Sequence, residues 1–215
     1  MKNVSFKDYA IVACGTMIPE INKLKEDGFL DAQKVLFLTP GLHQDPIELE
    51  KQLQKQIKLA KEQVKKIIVV YGGKYCYINV RDPYRTIDTV IDEMKEDGYF
   101  ISRTQIHNCI DMIVSEEELK EIAQGQKVWF GTCGWLKYRD LEFKGWDKAT
   151  ANTYFPTFNE GLILDSVGIF NEYLENNPEE ILEFSDWMGI PLDAREVKLD
   201  RFKTVLISAM DEADR

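Results

Sequence analysis

Short apolar runs alternate with amphipathic helical patterns along the first two thirds of the chain. Residues 9–13, 35–38 and 67–71 have the length and composition of buried strands. Residues 47–65 carry apolar side chains every three or four positions, which predicts a helix with one buried face. Asp45-Pro46 precedes this segment and is a favourable helix start, with Asp as the N-cap and Pro at the first helical position.

The order of these elements indicates the fold class. Two further short strands are predicted at residues 99–101 and 127–130, with helical patterns between them. Strands that alternate with helices form right-handed βαβ units, which place a parallel sheet between two helical layers. We therefore expect an α/β, doubly wound fold with a mostly parallel sheet of about five strands. This core sheet is expected at about residues 9–134.

The pattern changes after Gly134. Residues 135–146 are aromatic and charged, which is typical of a long loop or a partial helix, and residues 158–173, 178–188 and 199–210 predict three helices. The chain shows no internal repeat and no flexible linker. We therefore expect residues 1–215 to form a single α/β domain, with a helical C-terminal part at about residues 135–215.

Composition and charge narrow the class of protein. The chain has 27 basic and 37 acidic residues and a net charge of −10, so its surface disfavours nucleic acid and anionic membranes. No apolar run reaches the roughly 20 residues of a membrane span, and the first residues lack the apolar region of a signal peptide. We expect a cytoplasmic protein whose four cysteines are thiols or metal ligands rather than disulfides.

The placement of cysteine and histidine is the most informative chemical feature of the sequence. Each of these residues follows the carboxyl end of a predicted strand. The carboxyl ends of parallel strands lie at one edge of a sheet, where open α/β folds bind their ligands. Residues far apart in sequence can therefore converge on one site. The residues concerned are Cys14, His43, Cys76, His107, Cys109 and Cys133.

These donors suit a soft metal centre. Thiolate and imidazole groups bind zinc, iron and iron–sulfur clusters. Gly15, Gly72 and Gly73 lie close to Cys14 and Cys76 in the sequence, and glycines in such turns allow the backbone to approach a cofactor. Free cysteine also packs commonly as a small buried hydrophobic residue, which is the alternative interpretation of each thiol taken singly.

Two other classes of function stay open. A Cys-nucleophile hydrolase or transferase would use Cys109, with His43 or His107 as its base. A metal-free interaction module would dock through the acidic surface and the aromatic segment 129–146, whose rings otherwise form core. The chain has neither a Gly-rich phosphate-binding motif nor a Gly-x-Ser-x-Gly motif. Whether the chain is an enzyme is left open, and no catalytic residue is assigned.

Five short motifs, taken in order, resemble one protein family. They are Ala13-Cys14-Gly15-Thr16, Leu42-His43 before Pro46, Val70-Tyr71-Gly72 with Cys76, Asn108-Cys109-Ile110, and Gly134-Trp135. Their order and spacing resemble the family called domain of unknown function 1638, from about residue 9 to the C-terminal helices. The resemblance places the cysteines and the histidine of that family on Cys14, His43, Cys76 and Cys109. It also implies an origin in methanogens or anaerobic bacteria, where such genes often lie near corrinoid-dependent methyltransferases.

The residues and the resemblance lead to one main hypothesis. We expect a metal-binding accessory protein of corrinoid-dependent methyl transfer, with an iron–sulfur cluster or zinc at the carboxyl edge of the sheet. Cys14, Cys76 and Cys109 are the expected ligands, and His43 or Cys133 completes or borders the centre. An iron–sulfur cluster is favoured over zinc because the implied organisms are anaerobic. A corrinoid protein or a methyltransferase is the expected partner, with direct contact to the corrinoid feasible.

Overall fold

The computed structural model describes residues 4–73, 76–77, 79 and 81–213. Lys74 and Tyr75, which belong to the turn between Tyr71 and Cys76, lie outside the described residues. The strands are β1 (Tyr9–Ala13), β2 (Lys34–Phe37), β3 (Lys66–Val70), β4 (Phe100–Arg103), β5 (Val128–Thr132), β6 (Glu160–Asp165) and β7 (Leu192–Glu196). The α-helices are α1 (Ile18–Glu26), α2 (Pro46–Lys61), α3 (Ile87–Glu93), α4 (Cys109–Ile113), α5 (Glu116–Ala123), α6 (Cys133–Lys137), α7 (Arg139–Glu142), α8 (Lys148–Tyr154), α9 (Ile169–Asn176), α10 (Pro178–Met188) and α11 (Asp200–Ala213).

The first four strands form a parallel sheet in the order β2-β1-β3-β4. Successive side chains of a strand point to opposite faces. Ile11 and Ile68 accordingly lie in a core cluster with residues of α1, α4 and α11, while Val12 and Val69 lie in a cluster with residues of α2 and α3. Helices therefore cover both faces of this sheet, and the predicted α/β class with a mostly parallel sheet is confirmed.

The remaining three strands form a second parallel sheet in the order β5-β6-β7. The prediction of a single sheet of five strands is thus corrected to two sheets, with β5 in the second. The predicted C-terminal helices match α10 and α11, but the helix predicted at residues 158–173 is wrong, because this segment forms β6 before α9 begins. The part after residue 134 also contains β7 and is not purely helical.

Burial on both faces explains why β6 differs from the prediction. Its Leu162-Ile163-Leu164 run is continuously apolar, and such a run has no period that separates a buried strand from a buried helix. Ile163 packs into an aromatic cluster of the second sheet, and Leu164 packs into the cluster that also covers the first sheet. β7 lies at the edge of the sheet and is rich in charged residues, so it lacks an apolar pattern altogether.

The carboxyl ends of the two sheets meet. The turn after β1 packs against the start of α6, which directly follows β5. A Cβ atom on Gly134 would lie 1.7 Å from the carbonyl oxygen of Thr16, so only glycine permits this approach. Side chains that leave the carboxyl end of one sheet are therefore close to side chains that leave the other.

Two global features bear on the class of protein. All four cysteines are free thiols. Among the described helices, none has both the length and the apolar character that crossing a membrane requires.

Candidate metal centre

Three of the predicted ligands come together where the first sheet ends. Cys14 directly follows β1, Cys76 lies in the turn after β3, and Cys109 begins α4 after β4. The three strands are neighbours in the sheet. Cys14 acts electrostatically on both Cys76 and Cys109, and Cys76 acts on Cys109. Each of these residues is half-buried as a whole, while its thiol lies in a desolvated environment.

Close backbone packing holds Cys76 in this cluster. A Cβ atom on Gly72 would lie 2.4 Å from Sγ of Cys76 and 2.7 Å from Cα of Asn108. The missing side chain thus lets the exit of β3 approach the start of α4. Arg103 holds the same exit in place, because its buried guanidinium donates to the carbonyl oxygen of Tyr71 at 3.2 Å.

A buried carboxylate from the second half of the chain faces these thiols. Glu142 ends α7 and is only 1% exposed. Its Oε1 atom accepts a hydrogen bond from the Thr16 hydroxyl, which in turn accepts one from Sγ of Cys14 at 3.3 Å. The carboxylate also acts electrostatically on Cys14, Cys76 and Cys109. Sequence analysis missed Glu142 because its segment gives no sign that this glutamate is buried.

His43 lies at the more exposed side of the cluster. It belongs to a short 3-10 turn, Leu42–Gln44, and its Nδ1 atom is 3.6 Å from Oε2 of Glu142. The imidazole stacks on Trp135 with a centroid distance of 5.8 Å, and Nε1 of Trp135 donates to Sγ of Cys109 at 3.2 Å. Burial lowers the pKa of His43, which favours the neutral imidazole that binds metals.

Cys133 belongs to a different buried cluster. It begins α6 and is fully buried, and its Sγ atom donates to Oδ1 of Asp165 at 3.2 Å. Its other close neighbour is Glu20, in the first turn of α1. The structure therefore places Cys133 among carboxyl groups and does not bring it to the other thiols.

The other candidate residues have local roles. The side chain of His107 is exposed, while its backbone packs against Gly72. Gly15 is needed for packing, since a Cβ there would lie 2.2 Å from the carbonyl oxygen of Leu38. Gly73 lies beside a buried guanidinium group. Of the three glycines predicted to bind a cofactor, Gly72 contacts a cluster thiol, whereas Gly15 and Gly73 shape the neighbouring turns.

Burial keeps the cluster thiols protonated at neutral pH. It raises the pKa of Cys14 to about 11 and that of Cys76 to about 12, and it raises the pKa of Cys109 well above its usual range. It also raises the pKa of Glu142 to about 7, against opposing hydrogen bonds from the Thr16 hydroxyl and the Gly41 backbone N–H. A nucleophilic cysteine needs a lowered pKa, so this environment does not activate a thiol for attack.

The described side chains of the cluster are not arranged around one common metal position. Within the described part of the chain, no group of three or more His, Cys, Asp or Glu side chains is arranged to hold one. Cysteine has a single torsion that moves its sulfur between staggered positions. Coordination at this cluster therefore requires side-chain rotation toward a common point.

The aromatic segment beside the cluster forms the core of the second sheet. Trp129 and Phe143 are 6% and 8% exposed, and both rings contact Trp135 and Phe155. Phe143 also contacts the ring of Trp187 at a centroid distance of 5.2 Å. Packing therefore accounts for the density of aromatic residues in this segment.

These features define a parallel α/β protein of two sheets, with a cysteine-rich cluster where their carboxyl ends meet. A family model described as protein of unknown function (DUF1638) matches residues 37–206, and the chain belongs to this family. The match confirms the resemblance drawn from the sequence motifs. His43, Cys76, Cys109 and Glu142 lie within the matched residues, and Cys14 precedes them. No curated protein and no solved structure matches the chain.

Proposed function

We propose that this chain is a cytoplasmic metal-binding accessory protein of corrinoid-dependent methyl transfer. Its metal centre would be held by Cys14, Cys76 and Cys109. The observation that carries this proposal is the convergence of three thiols from the ends of three neighbouring strands. Thiolates are the donors that zinc and iron–sulfur clusters prefer.

The chemistry around the thiols supports the proposal. Each thiol lies within electrostatic range of the others and of the Glu142 carboxylate. Burial keeps these thiols neutral, and their ionisation to thiolates in this place requires a compensating cation. A bound metal would supply that positive charge, and it would hold the thiols as thiolates.

The number of thiols supports a metal centre with one further coordination position that no cysteine fills. Three thiolates suit a four-iron cluster with one distinct iron, or a zinc ion with a fourth ligand. When bound, a cluster would supply redox chemistry, and zinc would lower the pKa of a coordinated thiol. We favour the iron–sulfur cluster, because the family resemblance implies anaerobic organisms. The link to a corrinoid protein or methyltransferase rests on the same resemblance.

A nucleophilic cysteine is less well supported by the same residues. Burial raises the pKa of all three cluster thiols. His43 contacts the Glu142 carboxylate at 3.6 Å. Raised thiol pKa values are the opposite of the activation that a nucleophilic cysteine needs.

The test is metal analysis of protein purified without oxygen. Visible absorption with iron and sulfide present would support a cluster, and a colourless protein with stoichiometric zinc would support the zinc form. Replacing Cys14, Cys76 or Cys109 with alanine is expected to remove most of the metal. The matched control is Cys133→Ala, which removes a buried thiol outside the cluster and is expected to leave the metal content unchanged.

Two results would contradict the proposal. One is the absence of stoichiometric metal in wild-type protein prepared in this way, also after reconstitution with iron and sulfide or with zinc. The other is an equal loss of metal in all four alanine variants, because this would reflect general unfolding rather than loss of ligands.

A further inference from the structure

We propose that Glu142 is a fourth ligand of the metal centre and binds the metal through its Oε2 atom. This inference rests on the proposed metal-binding function and extends it to a residue from the other half of the chain. The ligand set would then comprise three thiolates from the first sheet and one carboxylate from the element that follows β5.

The strongest indication is a buried oxygen atom without a hydrogen-bond partner of good geometry, although the backbone N–H of Gly41 lies near the same carboxylate. In the described part of the chain, three buried side-chain oxygens lack such a partner, and they belong to Glu20 and Glu142. Glu142 is 1% exposed, so bulk water does not solvate its Oε2 atom. Burying a carboxylate oxygen without a hydrogen bond costs free energy, unless a bound ligand takes the place of that hydrogen bond. A metal ion is such a ligand, since carboxylate oxygens bind zinc and iron.

The direction of the carboxylate supports the same assignment. Its Oε1 atom is fixed by the Thr16 hydroxyl, which is also bonded to Cys14. The carboxylate acts electrostatically on Cys14, Cys76 and Cys109 alike. A group that acts on all three thiols lies near the place where a shared metal would bind.

A different role for Glu142 would be to orient His43. Carboxylates often hold a metal-binding histidine by accepting its other N–H group. Here Nδ1 of His43 and Oε2 of Glu142 are 3.6 Å apart, which is longer than a hydrogen bond. This contact leaves Oε2 available to a metal, and variants of the two residues separate the two roles.

The experiment compares Glu142→Gln with Glu20→Gln in protein loaded without oxygen. Glu20 is a matched control, since it is also a fully buried glutamate with unpartnered oxygens, but it lies beside Cys133. The probes are Co²⁺ and a cluster reconstituted from iron and sulfide. The readouts are the Co²⁺ ligand-field bands and the rate at which EDTA removes the metal.

We expect Glu142→Gln to lose metal at least about tenfold faster than wild type, with shifted ligand-field bands and preserved thiolate-to-metal absorption. Glu20→Gln is expected to behave as wild type. Thr16→Val, which frees the other carboxylate oxygen, should cause a smaller change in the same direction. His43→Ala combined with Glu142→Gln should still show the effect of the glutamate change.

The possible failures are distinguishable. If the wild-type protein binds neither Co²⁺ nor an iron–sulfur cluster, the proposed function and this inference are both wrong. If wild type loads and Glu142→Gln matches it in bands and in rate, Glu142 is not a ligand, while the thiolate centre stands. If the effect of Glu142→Gln disappears in the His43→Ala background, Glu142 acts through His43, and direct binding is overturned.

Discussion

Glu20 makes the stability of this fold depend on pH. Its carboxyl group lies in the first turn of α1 and is 0% exposed, and neither oxygen has a hydrogen-bond partner of good geometry, although Cys133 lies close to it. Burial is the main reason that its pKa rises from the usual 4.5 to about 7. The unfolded chain exposes the same group to water, so its pKa there is the usual value.

The sign and size of the effect follow from these two values. Between pH 4.5 and pH 7 the folded chain holds a proton that the unfolded chain has released. The stability that neutral Glu20 contributes is complete below the lower value and is lost as the pH rises through the higher one. The free energy of unfolding should fall by about 3 kcal/mol in total. About 2.5 kcal/mol of this decrease is expected between about pH 5 and about pH 8.

Glu20→Gln removes this titration and keeps the shape of the side chain. The free energy of unfolding of the variant, relative to wild type, should rise by about 2.5 kcal/mol from about pH 5 to about pH 8. Urea unfolding followed by circular dichroism measures it, with a reductant present. Glu121→Gln, at an exposed position of α5, is the control and should show a constant difference. A constant difference for Glu20→Gln as well would refute the reasoning, because Glu20 would then ionise as freely in the fold as in water.

Two further predictions concern packing at the junction. Gly134→Ala would place a methyl group 1.7 Å from the Thr16 carbonyl oxygen. We expect this variant to lose about 1–3 kcal/mol or more of its free energy of unfolding, measured by thermal unfolding. An unchanged Tm would contradict the close packing at the junction. Phe143→Ala should cost about 3–5 kcal/mol in urea unfolding, because its ring is 8% exposed and contacts several other rings. A loss below about 1 kcal/mol would show that the aromatic cluster repacks without it.

The convergence of Cys14, Cys76 and Cys109 was accessible to sequence reasoning for a topological reason. Each follows a strand, and in a parallel sheet the ends of the strands share one edge. The positions of the strands in the sequence therefore predict this edge, independently of the conformations of the loops. They do not fix which strands belong to one sheet, since β5 pairs with β6 rather than with the first four strands. The pattern therefore groups Cys133 with the other thiols, whereas the fold places it beside Asp165.

Glu142 was not accessible for a different reason. It lies in a short helix of four residues among charged neighbours, where a glutamate normally faces solvent. Its burial comes from contacts with Thr16 and Gln44, which are far away in the sequence. Long-range contacts of this kind leave no local pattern in the chain. The part of the site that depends on the fold of the first sheet was predictable, and the part that depends on how the two halves meet was not.

The two buried glutamates at this junction have the same burial but different surroundings. Glu20 faces the carboxyl group of Asp165 and a buried thiol, and neither offers positive charge. Glu142 faces three thiols that a metal would convert to thiolates around a shared cation. Only the second arrangement gains a favourable electrostatic partner when metal binds. Burial raises the pKa of both carboxyl groups to about 7, so both make stability depend on pH. If the proposed metal centre forms, binding should offset this cost for Glu142 and leave it unchanged for Glu20.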